Sequence, residues 1–320
     1  MIHIHRRGDA AGPAPDPSSP TFVVGPDILW VDLIDPTRDE ELIIERVLGL
    51  LLPTRAEMAE LEASSRLYRE NGATYLTADL IHNGDAEVPA VDPVTFVMTP
   101  GPLVTIRYFD PRPFPILKER LDRDPDLCSS APDLFLNLME AVIDRASDVL
   151  ARNAARVEVI AGQIFAGRKT VGFGKLITRL GQAQMAASRI EQSLADLARV
   201  FAFITLDDRI GHDPDARDHV KSLSRDAASL SAHNQAVAAN LNFQLSAALG
   251  LINIEQSSII KIFSVAAVAF MPPTLIASIY GMNFRHMPEL HQVWGYPLAL
   301  VAMLAAAVMP LVWFKRKGWL

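Results

Sequence analysis

Between residues 242 and 274 the chain places small or uncharged side chains every three or four positions. They are Asn242, Ser246, Gly250, Asn253, Ser257, Ile260, Ser264, Ala267, Met271 and Thr274. Hydroxyls and amides without a neighbouring charge cannot do acid–base or covalent work, but they can hydrogen-bond to water and to hydrated solutes. Two readings of the stripe stay open. It can wall a narrow wet tube built by several copies of one helix, or it can be ordinary small-residue packing in which Ser and Gly let backbones approach. Asp207, Asp208, His212, Asp213, Asp215, Asp218 and His219 form a second cluster, which reads as a cation sensor or as a solvated turn capping a helix. His3, His5, His286 and His291 read as transition-metal ligands or as incidental histidines. No nucleophile–base pair, metal-ligand motif or glycine-rich phosphate loop is found, so an enzyme is not expected.

The element that must carry the stripe is a helix, and the sequence says where it goes. Ile262 to Phe284 runs 23 residues without a charge and Val293 to Phe314 another 22, each enough to cross roughly 30 Å of hydrocarbon. Eight residues, Arg285 to Gln292, join them, so the two spans return antiparallel. Lys261 precedes the first and Lys315, Arg316 and Lys317 follow the second, which assigns both flanks to the cytoplasm and the short loop to the outside. Tyr280, Trp294, Tyr296, Trp313 and Trp319 read as interfacial anchors. A buried hairpin in a soluble protein is the alternative.

Composition agrees with this division. The 320 residues are 50% hydrophobic with mean hydropathy +0.18, which excludes a disordered chain. Net charge is −7, but residues 1–130 hold 22 Asp/Glu against 12 Lys/Arg while residues 131–320 hold 15 against 18. An acidic half argues against a nucleic-acid partner. One cysteine, Cys128, excludes an internal disulfide, and Met1 to Pro20 has no apolar targeting core.

Ahead of the membrane, the pattern predicts an α/β domain over 1–130. Strands are expected at Ile28–Leu33, Thr74–Ile81, Val94–Thr99 and Leu103–Tyr108, with helices at Arg38–Leu50 and from Pro53–Thr54 through Leu67. A long helical pair is expected over 131–212, Leu134–Ile164 and Lys175–Phe203, joined by a turn at Gly167–Gly174. Asp213 and Pro214 signal a further start, and nothing stops that helix before Pro272. It would form a stalk over 213–260 and continue into the first span, 261–284. Val220, Leu223, Ala227, Leu230, Asn234, Val237, Leu241, Gln244, Ala248 and Leu251 give it a seam of period 3.5 against neighbouring helices. The loop is then 285–292, the second span 293–314 and the basic tail 315–320. The fold class is an α/β cytoplasmic domain followed by long α-helices, one entering the membrane, and a two-span hairpin.

At the outer end of the first span stands Tyr280-Gly281-Met282-Asn283-Phe284, followed by Met287-Pro288-Glu289-Leu290. This resembles the signature of the CorA family of magnesium transporters, whose Gly-Met-Asn triplet closes the first of two C-terminal spans. Gly250 to Gln256, Ile260 to Val265, Pro272-Pro273-Thr274-Leu275, Gly295-Tyr296-Pro297 and the closing Phe314 to Leu320 are also similar to the family, as are Trp30 to Leu33, Leu52 to Arg55 and Ser64 to Tyr68. The likeness is nearly full length.

The resemblance implies a homopentamer in the inner (plasma) membrane, both termini cytoplasmic, conducting Mg²⁺ passively, with Co²⁺ or Ni²⁺ as further candidate ions. Its partners would be other copies, the lipid bilayer and divalent ions. Mg²⁺ would be substrate and also a cytoplasmic regulatory ligand, at acidic residues the sequence does not identify. It implies a selectivity filter of Gly281, Met282 and Asn283, with Asn283 meeting the ion through its water, Gly281 turning a carbonyl to the axis and Met282 packing. The pore lining would be Thr274, Met271, Ser264, Phe263, Ile260, Ser257 and Asn253, with apolar constrictions at Met271 and at Ile260 or Phe263. Pro272 and Pro273 would be a hinge or a tolerated kink. Ser246 departs from a family that often has Asp there. A zinc-transporting relative and a membrane-anchored scaffold are the competing readings; the Met at 282 argues against the first.

Arg285 and Glu289 hold the loop's charge, and Arg285 stands where the family commonly has an acid. Positive charge repeated around the mouth lowers local cation concentration. Arg285→Glu is expected to raise uptake at low external Mg²⁺; unchanged uptake contradicts the electrostatic reading.

Overall fold

Alternation of apolar and polar residues sets the strands that begin the chain. The computed structural model describes residues 1–7, 24–60, 62–165, 172–283 and 286–318, dividing into two units, Met1–Leu245 and Ser246–Leu320. Phe284, Arg285, Trp319 and most of the expected Gly167–Gly174 turn lie outside the described residues. In the first unit β1 (Ile2–Arg6) runs antiparallel to β2 (Ile28–Ile34). Thr37 opens α1 (Arg38–Leu48) in a capping box with Glu40, and Gly49, at φ 67°, closes it, a conformation that residues with a Cβ rarely adopt. A second capping box, Thr54 with Glu57, starts the short α2 (Arg55–Met58). Next come α3 (Ala63–Arg66), β3 (Leu67–Glu70), β4 (Ala73–His82), β5 (Ala90–Met98) and β6 (Leu103–Arg107). The sheet order is β1-β2-β6-β5-β4-β3, with β2 and β6 the one parallel neighbour pair.

Both faces of this sheet are buried. On β4, Leu76, Ala78 and Leu80 enter one core while Ala73 and Tyr75 enter the other, following the two-residue period of a strand. Ile44 of α1 and Met58 of α2 close the second side. The first side is covered by α4 (Pro113–Arg123), α5 (Ala131–Phe165), α6 (Phe173–Ile204), α7 (Asp208–Gly211) and the beginning of α8 (Pro214–Tyr280), through Phe114, Phe135, Leu197, Ile210 and Val220.

Polar ties fix the register of these layers. Arg107 Nη2 lies 2.8 Å from Asp32 Oδ2, and Thr105 donates to Asp32 Oδ1 at 2.6 Å while accepting from Trp30 Nε1 at 2.9 Å. Opposite Asp79 in the β4–β5 ladder stands Pro93, which has no N–H. The N–H of Asp79 goes instead to Asp196 Oδ2 on α6 at 3.0 Å. Arg66 Nη2 bridges the two carboxylates at 2.7 and 3.0 Å. Breaking one member of such a buried set strands the others, a far larger cost than losing a surface pair.

The seam on α8 is buried as its period requires: Val220, Leu223, Ala227, Asn234, Val237, Leu241 and Gln244 are all inside. Asn234 Nδ2 donates to Ala187 O and to Glu191 Oε2, each at 2.9 Å, on α6, and Gln244 Nε2 to Val157 O on α5 at 3.3 Å. In the second unit α8 continues to Tyr280, a 3₁₀ turn spans Pro288–His291, and α9 covers Gly295–Arg316.

The structure departs from the sequence reading at three elements. No helix runs from Pro53 to Leu67: Leu67 and Tyr68 pair with Leu76 and Tyr75, and Asn71 and Gly72, at φ 47° and 78°, make the tight hairpin turn. The strand β1 was unanticipated, because its apolar positions alternate with histidines. So was α4, where Pro113 and Pro115 fall in the first turn and need no N–H. α8 itself runs across Pro272 and Pro273 to Tyr280.

Phe135 is fully buried and meets the edge of Phe96 at 5.6 Å. Phe135→Ala leaves an aromatic-sized hole where sheet meets helices and is expected to cost about 3–5 kcal/mol, read as a lowered Tm of the purified full chain.

Candidate functional site

The helix that carries the site is anchored at its first residue. Asp213 Oδ1 accepts from the N–H of Asp215 at 3.0 Å and of Ala216 at 3.4 Å, and Pro214 fills the first helical position. From there α8 and α9 are the two helices long and apolar enough to cross a membrane among the described residues.

Within the second unit the faces of α8 separate. Val265 and Ala269 are buried, and Pro272, Pro273 and Ile276 are half-buried. Lys261 Nζ donates to Gly318 O at 3.5 Å, which sets that part of α8 beside the end of α9. With about 100° of rotation per residue, Val265 and Ala269 lie about 120–160° around the axis from Met271. Every member of the stripe, from Asn242 through Thr274, is exposed. Met271 is 69% and Ile260 62% exposed. Ser264, Ser257 and Asn253 share their side. Phe263, 72% exposed, falls about 80° away from Met271, beside Phe270 at the stripe's edge. Sequence reading missed the covered face, although the spacing 261, 265, 269, 272, 276 is its signal.

Pro272 and Pro273 remove the N–H groups that would reach the carbonyls of Val268 and Ala269. One residue on, Thr274 Oγ1 donates to Phe270 O at 2.8 Å. Its proton is thus committed to the backbone, and only oxygen lone pairs face outward.

At the C-terminal end of α8, Gly281 N–H closes on Ala277 O at 2.9 Å and Met282 N–H on Ile279 O at 3.2 Å. Gly281 keeps a negative φ, and what its missing side chain provides is room: a Cβ there would stand 3.1 Å from Ala277 O. Asn283 follows, exposed, its carboxamide making no hydrogen bond among the described residues. Glu289 is exposed in the 3₁₀ turn. That turn folds onto the start of α9, where a Cβ on Gly295 would collide with Glu289 O.

The acidic cluster of residues 207–219 resolves into a capped turn. Asp207 Oδ1 accepts from Arg209 N and Nε, and Oδ2 from Arg209 Nη2 at 2.7 Å and from Thr74 at 2.5 Å. Asp213 caps α8 and Asp218 pairs with Lys221. No group of three or more His, Cys, Asp or Glu among the described residues is arranged to hold a metal. His5 stacks on Trp30 at 4.8 Å; burial, then the Lys118 charge, lower its pKa.

A family model described as CorA-like Mg²⁺ transporter protein matches residues 26–316. The magnesium transport protein CorA of Haemophilus influenzae (strain 86-028NP) is 33% identical over 292 residues, 91% of this chain and 92% of its own. That of Salmonella typhimurium (strain LT2) is 33% identical over 295 residues, 92% of each. Among solved structures, the complete CorA magnesium transporter of Methanocaldococcus jannaschii aligns with TM-score 0.80 at 17% identity, over 100% of this chain and 99% of that one. The full-length CmaX protein gives 0.70 at 13%, over 94% and 91%. At such identities the two structures share the fold.

Burial alone raises the pKa of Asp207, but the hydrogen bonds from Arg209 and Thr74 outweigh it and hold the carboxyl well below the usual range. A folded pKa below the unfolded one stabilises above the unfolded value, about 3.9, and that stability fades as pH falls toward the folded pKa. Asp207→Asn is therefore expected to cost about 1–3 kcal/mol at pH 7 and less at pH 3, measured by melting at both.

Proposed function

We propose a transport route from one premise: this chain belongs to the CorA family of Mg²⁺ transporters, membrane transporters and not enzymes. In this reading five copies stand side by side in the inner membrane. Both termini lie in the cytoplasm, and the exposed stripes of α8 enclose a water column. The observation that carries it is that stripe, uncharged and unburied along one side of a spanning helix as far as Thr274, with Asn283 exposed beyond the helix end.

Mg²⁺ prefers six oxygens at near-octahedral geometry and dehydrates reluctantly. Water bound to a cation points its hydrogens outward, so a wall that passes the hydrated ion must accept hydrogen bonds. Asn283 Oδ1 supplies neutral acceptors at the mouth, and Thr274, with its proton given to Phe270 O, supplies a second ring. Neutral acceptors bind the hydrated ion weakly enough to let it leave. Co²⁺ and Ni²⁺, dications that also take octahedral water, pass the same filter. Met271 makes an apolar constriction, and Ile260 or Phe263 a deeper one, closing by dewetting. Pro272 and Pro273 let the outer part of α8 bend there.

Inward movement of a dication gains about 4.6 kcal/mol per 100 mV, twice the value for one charge, so no chemical energy source is needed. On the cytoplasmic side, Mg²⁺ held between acidic surfaces of neighbouring copies favours the closed arrangement, and its loss relieves that constraint.

Uptake into proteoliposomes tests the route. Asn283→Ala is expected to lose most of the Mg²⁺ flux, and Thr274→Val to lose more than Thr274→Ser, which keeps the acceptor. Equal flux in Asn283→Ala and the unaltered chain overturns the filter assignment.

A further inference from the structure

A cleft of about 550 Å³ opens between α4 and α5 in the first unit, remote in sequence from every pore residue. Its walls carry four guanidinium groups: Arg112 and Arg120 from the start and last turn of α4, Arg145 and Arg152 from α5. One carboxylate already answers three of them. Asp85, in the turn between β4 and β5, lies 3.5 Å from Arg112 Nη1, 3.5 Å from Arg145 Nη2, and pairs with Arg152 Nη1.

The turn is built to deliver that carboxylate. A Cβ on Gly84 would stand 2.5 Å from Val149 Cγ2 and 2.9 Å from Arg145 Nη2, so only glycine lets the backbone lie so close to α5. Arg156 fastens the turn by donating to Ala86 O at 3.1 Å and Glu87 O at 2.9 Å.

Asp85 does not exhaust the donors. Arg152 Nε and Nη2 are buried without an acceptor, and Arg120 has no ionic partner among the described residues. Buried donors left unmade carry a free-energy cost that an incoming oxygen ligand relieves, and guanidinium forks match phosphate oxygens two at a time. Two exposed carboxylates in the same wall, Asp144 and Asp148, would repel a bare anion but accept a magnesium ion carried by it. The volume lies within the usual range for small-molecule sites, about 300–1,000 Å³.

We propose that this cleft binds a magnesium-bound polyphosphate of nucleotide size. Its phosphate oxygens take the guanidinium donors that Asp85 leaves unanswered, and its Mg²⁺ meets Asp144 and Asp148. Asp85 is a resident competitor that the ligand displaces in part. Binding is read without flux, so the outcome is independent of the transport route.

Calorimetry on the full-length protein in detergent tests it, with tripolyphosphate and with ATP, each with Mg²⁺ equal in cell and syringe and again without Mg²⁺. Both ligands are expected to bind, more tightly with Mg²⁺; a tighter ATP identifies a nucleotide as the occupant and equal affinities a polyphosphate recognised by its phosphates alone. Arg120→Gln alters an exposed side chain that holds nothing else, so folding is not at stake. It is expected to weaken binding about tenfold, the worth of one charge-assisted hydrogen bond. Asp85→Asn is expected to tighten binding, and Asp144→Asn with Asp148→Asn to remove the gain from Mg²⁺. No binding of either ligand at millimolar concentration, binding of ATP without tripolyphosphate, or an Arg120→Gln protein that binds as the unaltered one does, overturns the proposal.

Discussion

In hydrocarbon every backbone N–H and C=O must find its partner inside its own segment, and α8 meets that demand as one helix from Pro214 to Tyr280. Because the backbone is self-sufficient, its side chains are free to divide the circumference. A seam of Val220, Leu223, Leu241 and their neighbours packs on α5 and α6. Farther along, Val265 and Ala269 are covered, and the remaining side keeps the small uncharged residues exposed. The Pro pair is the one place where this self-sufficiency is broken. The carbonyls it frees lie one turn before the Thr274 hydroxyl that donates back to the helix.

The first unit, Met1–Leu245, is held by a different means. Its layers are apolar cores on both faces of one sheet, but their alignment depends on a few buried charges. Asp32 with Arg107 ties the parallel pair β2 and β6, Arg66 with Asp79 and Asp196 ties the sheet to α6, and Asp207 with Arg209 and Thr74 ties it to the segment leading into α8. Each is satisfied on several sides, and low dielectric makes such sets costly to disturb piecemeal. Much of the acidic excess of residues 1–130 is therefore exposed charge, while some of its carboxylates are structural.

Several local geometries along α8 and α9 are set by neutral groups. The Thr274 hydroxyl is oriented by its hydrogen bond to Phe270 O, Gly281 leaves space beside Ala277 O, and Gly295 admits the close approach of Glu289. None of these would be flagged by a search for catalytic triads or metal clusters, since what each contributes is an orientation or a gap.

Periodic features were legible in the sequence because a repeat records a surface directly. The seam and the stripe come from spacing along one helix and the two spans from length against bilayer thickness, while the hairpin motifs come from resemblance to the family. The helices of residues 131–204, apart from their ends, came from spacing too. Features that depend on a partner far away in the chain were not legible. His3 and His5 gave no hint of a strand until Trp30 was known to lie against His5. Leu67 continued a helical pattern until pairing with Leu76 across the Asn71-Gly72 turn claimed it for the sheet. Order along the chain was enough to place the buried seam of α8 and the two apolar helices, since side-chain period and hydrophobicity are local properties. Folding alone selects which acids are structural and which guanidinium groups surround Asp85, because electrostatic partners are chosen by proximity in space and leave no period behind.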